Sequence, residues 1–130
     1  MRRHMLLLAA LAVSASAAAA AEAADHFSFR DASFLPDSRA VPEAQAFVAE
    51  AFPPGLPLAT AEHRAEAAEM RCRPARDGGL ACLYSTPQGA EGGLIGEDAW
   101  MLHLAPGPGG ALAKADLTRR FIGPGAPNPQ

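Results

Sequence analysis

Apolar and polar positions fall into three regimes along this chain of 130 residues. Met5 to Val13 is an unbroken apolar run behind Arg2 and Arg3, and an alanine-rich stretch follows it. Between Pro42 and Met70 the apolar positions recur at helical spacing. Beyond Arg71 apolar and polar residues alternate, the pattern of strands buried on one face.

Within the helical regime, Pro42 suits a first turn, where its missing N–H is not needed, and Glu43 favours the positive end of the helix dipole. Ala44, Phe47, Val48, Ala51 and Phe52 then form one apolar stripe, which Pro53-Pro54-Gly55 ends. Thr60 is a suitable N-cap for a second helix reaching Met70. Ala61, Ala65 and Ala68 make its narrow buried side, with Glu62, Glu66 and Glu69 on a solvated side. Before the first helix, residues 24–41 sustain no period. Phe27 and Phe29 alternate with Ser28, and the segment reads as an irregular arm.

In the strand regime, Arg71 to Pro74 and Leu80 to Tyr84 flank Asp77-Gly78, turn chemistry for a hairpin. Thr86 to Asp98 is glycine-rich and reads as a connection. Ala99 to Ala105 is the clearest strand, with Trp100, Leu102 and Leu104 on one face and Met101 and His103 on the other. Residues 111–122 fit either a strand or an alanine-bearing helix. The strand is favoured because residues 99–105 need a partner. Helices segregated ahead of strands predict an α+β domain over 42–122, two N-terminal helices packed on an antiparallel sheet of three or four strands. The proline- and glycine-rich tail 123–130 reads as disordered.

A positive start, an apolar core and small residues are the layout of a secretory signal peptide, here residues 1–23. The apolar run falls short of the about 20 residues needed to span a bilayer. Cleavage near Ala24 would leave about 107 residues, one domain's worth. Of the 11 basic and 14 acidic residues, Arg2, Arg3 and Glu22 would be lost, leaving a net charge of about −4. An acidic domain is poorly suited to nucleic acid or anionic lipid. No second apolar span follows. A single lysine, Lys114, among many arginines fits a GC-rich bacterial genome and a periplasmic destination.

Export changes the reading of the two cysteines. A three-residue loop at Arg76, Asp77 and Gly78 would set Cys72 directly opposite Cys82, within disulfide reach. A redox pair usually has two intervening residues, and no histidine pair completes a metal set.

Further chemistry is sparse. Met101 and His103 share a strand face and are the weak candidates for a soft-metal site. Arg71 and Arg73 share a face of their strand, and Arg119 and Arg120 lie near the end of another. If those ends are neighbours, the four form a basic patch for a carboxylate or phosphate. The serines lack a nucleophile elbow, and the glycine-rich stretches lack the lysine of a phosphate loop. No cofactor is implied.

Pro54-Gly55-Leu56-Pro57 ahead of the second helix, Trp100 opening a strand, and Gly109-Gly110-Ala111-Leu112 turning into the last strand give an order of elements over 42–122. That order resembles the SmpA/OmlA-type lipoprotein of the outer-membrane β-barrel assembly machinery. The resemblance implies two helices on a three-stranded antiparallel sheet. This chain departs from the family in lacking a lipid-attachment cysteine and in carrying the Cys72–Cys82 hairpin. The first expectation is therefore a non-catalytic periplasmic binding or accessory protein for another envelope protein. Its contact surface would be the exposed sheet face or the Phe27–Leu35 arm. The alternatives are a secreted inhibitor of an envelope enzyme and a small metal-binding protein.

Overall fold

The structure, a computed structural model, describes residues 26–90 and 93–123. The leader 1–23 and the tail from 124 onward lie outside the described residues. Three helices, α1 (Phe29–Ala32), α2 (Asp37–Ala51) and α3 (Leu58–Ala67), precede four strands, β1 (Arg71–Pro74), β2 (Leu80–Ala90), β3 (Gly93–Pro106) and β4 (Leu112–Ile122). The strands form one antiparallel sheet in the order β1-β2-β3-β4. The α+β reading holds, with one more helix than expected.

The extra helix replaces most of the irregular arm. Ser28 caps α1 by accepting from the Asp31 N–H, and the turn buries Phe29 at 1% exposure. Phe27 stacks on Phe47 at 4.7 Å, and Phe29 lies 5.6 Å from the Trp100 ring. Phe29 and Ala32 of the arm are buried in the core and Phe27 and Leu35 pack against it, while Phe34 alone among its aromatics stays exposed.

Helix α2 also starts five residues before Pro42, which sits inside it and cannot donate to Ser38. Burial outweighs that lost hydrogen bond: Ala40, Ala44, Val48 and Ala51 form one continuous buried stripe. Helix α3 begins at Leu58, two residues before Thr60, and its N-cap is Pro57. It ends at Ala67 in a Schellman closure, in which the Glu69 N–H donates to Glu66 O and the Met70 N–H to Ala65 O. Glu69 takes φ 66° there, a position glycine usually fills, while Met70 packs down into the core. Ala61 and Ala65 are fully buried, so small side chains let the helix lie close. Arg64 donates from Nη1 to the Ala51 carbonyl at 2.7 Å, closing the end of α2.

The hairpin register is as the sequence implies: Cys72 faces Cys82 and the pair is disulfide-bonded. The loop is Arg76-Asp77-Gly78 between hydrogen-bonded Ala75 and Gly79, with Gly78 at φ 85°. Residues 112–122 are indeed a strand. The connection expected at 86–98 is instead strand on both sides, pairing Thr86 with Asp98 and Gln88 with Gly96, with a register shift after Gln88. Local propensity missed it because β3 pairs with β2 from Gly93 to Leu104 and with β4 from Glu97 to Pro106, and that tertiary pairing overrides glycine and proline content.

The core lies between the helices and one sheet face, with Trp100, Leu102, Leu104 and Leu112 the largest strand side chains in it. The opposite sheet face carries no helix among the described residues. Replacing both cysteines with alanine should lower stability by about 2.5–3 kcal/mol through the lost loop constraint. Urea denaturation of the oxidised protein beside the C72A/C82A variant measures it.

Candidate functional site

The open sheet face follows from strand alternation. Two rows of cross-strand neighbours build it. One is Arg73, Ala81, His103 and Asp116; the other is Arg71, Leu83, Met101 and Thr118. They line an open trough of about 540 Å³, with Glu97 and Ile122 at its far end. Leu83 is 40% exposed at the centre and Met101 is half-buried beside it. The floor is therefore apolar and the β1 rim carries two guanidinium groups.

Charge is segregated between the two layers. The helices carry Asp31, Asp37, Glu43, Glu50, Glu62 and Glu66 against Arg30, Arg39 and Arg64. The open sheet face carries Arg71, Arg73, Lys114 and Arg120 against Glu97 and Asp116. An acidic protein thus turns a basic-rimmed face outward.

The four arginines do not form one patch. Strands β1 and β4 are opposite edges of the sheet, so Arg71 and Arg73 lie three strand spacings, about 14 Å, from β4. Arg120 shares their face from that far edge. Arg119 points the other way, into the interior, because neighbouring residues on a strand face opposite sides.

There its side chain is 13% exposed and meets an acceptor with every N–H. Nε donates to Asp98 Oδ1 at 3.0 Å and Nη2 to Asp98 Oδ2 at 2.6 Å. Nη1 donates to the Leu35 carbonyl and to Asp37 Oδ1, each at 2.9 Å, and Nη2 to the Ser33 carbonyl at 3.1 Å. The guanidinium carbon lies 4.9 Å from the Trp100 ring centroid. The hydrogen bonds to Asp98 raise the Arg119 pKa further above its ordinary value, against the opposing effect of burial. Trp100 Nε1 donates to Ser33 Oγ, which itself donates to the Phe29 carbonyl. The role of Arg119 is architectural, and its signal in the sequence was its place in line with Leu117 on β4.

Met101 and His103 do share the open face, as expected. His103 Nε2 is engaged by Asp77 Oδ2 at 2.9 Å. Among the described residues no group of three or more His, Cys, Asp or Glu side chains converges as a metal-binding set. Asp77, expected only as a turn residue, is also the partner of His103. Its spacing to Gly79 signals an Asx turn, and Oδ1 accepts from the Gly79 N–H at 2.9 Å. That hydrogen bond, with His103 adding to it, holds the Asp77 carboxyl below the usual aspartate range.

Two outcomes follow from this geometry. Arg119→Met should cost about 3–5 kcal/mol, because it strands the buried Asp98 carboxylate. Combining it with Asp98→Leu should recover part of that loss; a double-mutant cycle by thermal denaturation reads both. A lowered folded pKa at Asp77 stabilises the native state above about pH 4 and is lost as pH falls through the folded value. The difference in Tm between wild type and Asp77→Asn should therefore shrink from about pH 5 to about pH 2.

In comparisons with known proteins, the chain matches no family model, no curated protein and no solved structure.

Proposed function

We propose that this chain is an exported, non-catalytic binding protein of the bacterial envelope, and that its open sheet face is the contact surface. The trough on that face carries the reading: an apolar floor at Leu83 and Met101, bounded on the β1 edge by Arg71 and Arg73. Such a surface suits an envelope protein that presents apolar side chains together with carboxylates. The guanidinium groups would engage the carboxylates in charge-assisted hydrogen bonds. Methionine and arginine are both enriched in contacts of this type.

Export is supported by the charged, apolar and small-residue order of the first 23 residues, and by a disulfide suited to an oxidising compartment. No helix among the described residues is long and apolar enough to cross a membrane. The element order that resembles the SmpA/OmlA-type lipoproteins adds support for an accessory role beside envelope proteins.

Photo-crosslinking in living cells tests this. A photoreactive residue at Leu83 should give one dominant adduct in the periplasmic fraction, and one at Glu66 on the helical layer should not. Arg71→Glu combined with Arg73→Glu should reduce the Leu83 adduct at least about tenfold. Equal adducts from both positions, or recovery of the protein from the cytosol alone, would refute the proposal.

A further inference from the structure

The two edges of the sheet are built differently. At the β1 edge, Ala75 and Gly79 are a hydrogen-bonded pair, so alternation along the ladder points the backbone of Arg71 and Arg73 at β2 and that of Pro74 outward. Beyond β1, the same alternation turns Ser85 and Pro87 of β2 toward the open side. Both prolines therefore sit where a partner strand would need an N–H, a common way of blunting an edge.

The β4 edge has no such protection. Carried through β2 and β3, the alternation points the backbone of Ala115, Leu117, Arg119 and Phe121 away from β3. At the start of the strand, Leu112 is already satisfied: its N–H donates to the Leu56 carbonyl and its carbonyl accepts from the Gly55 N–H. From Ala115 to Phe121 no backbone partner occupies this edge among the described residues. The run contains no proline, no glycine and no further register shift.

The outward-face side chains of this strand are Lys114, Asp116, Thr118 and Arg120, all exposed. Their order is self-complementary about Thr118. The geometry points to a dimer in which β4 pairs antiparallel with β4 of a second copy, around a two-fold axis at Thr118. Thr118 then meets Thr118, and Asp116 of each copy meets Arg120 of the other. These are non-hydrogen-bonded pairs, in which side chains approach closest.

Charge also selects this register. One step toward the start of β4 sets Lys114 against Arg120 and collides with the segment already bonded to Leu112. Two steps set Asp116 against Asp116. One step the other way sets Arg119 against Arg119, and two set Arg120 against Arg120. In the isolated chain Asp116 takes Lys114 as its partner at 3.4 Å, both side chains being more than half exposed. A pair that exposed contributes little and gives way readily. Joining the two copies extends both open faces into one surface, with Arg71 and Arg73 at its two far ends.

Sedimentation equilibrium on the purified protein tests the proposal. The wild type should sediment at twice the monomer mass. Asp116→Arg and Arg120→Asp should each raise the dissociation concentration at least about tenfold, and the two together should restore it to within about threefold. Thr118→Cys should give a covalent dimer on mild oxidation, whereas Lys114→Cys, opposite Ile122 in this register, should not. A wild type that stays monomeric at millimolar concentration would overturn the proposal. So would a dimer indifferent to charge reversal, or equal crosslinking from both cysteine positions.

Discussion

One guanidinium group ties the start of the helical layer to the sheet. Arg119 spends all five N–H donors on β3, on both ends of the turn after α1, and on the first residue of α2. Its plane also covers Trp100, whose own N–H reaches Ser33 in the same turn. A buried charge is tolerable when it is paired and its remaining donors are satisfied, and both conditions hold here. The arrangement adds direction to a core that otherwise relies on shape, since hydrophobic burial alone does not fix where a helix sits.

Shape matters because much of the helix-to-sheet contact is alanine. Ala40, Ala44, Ala61 and Ala65 are all fully buried. They bring helices close to the strands but contribute little apolar area each. The aromatic group of Phe27, Phe29, Phe47 and Trp100 supplies the bulk, and the disulfide ties β1 to β2.

Much of this was legible from periodicity. The hairpin register followed from a three-residue loop, and with it the cysteine pairing. The strand at 112–122 followed from the need of β3 for a neighbour. What escaped was set by distant contacts. Nothing local in residues 26–41 announces that Phe29 will lie against Trp100, and a proline at the sixth position of α2 argues against the helix that burial of Ala40 enforces. The strand pairing across 86–98 depends on alignment, not propensity. Arg119 was grouped with three surface arginines because sequence proximity to Arg120 hides that neighbouring strand residues face opposite sides. An exposed sheet face carrying Met101 and His103 was legible from alternation; that Arg71 and Arg73 line the same trough depends on the strand order, which alternation alone does not give.

The position of Arg119 also orders events in time. Its contacts to Ser33, Leu35 and Asp37 join residues separated by 82 to 86 positions. The small Cys72–Cys82 ring can close early, from local contacts alone, whereas non-local contacts form late. A chain made from its amino end presents its helices first and their clasp nearly last. Until β4 has arrived, Phe29 can already lie against Trp100 of β3, but the guanidinium that fixes where the helices sit on the sheet is still absent.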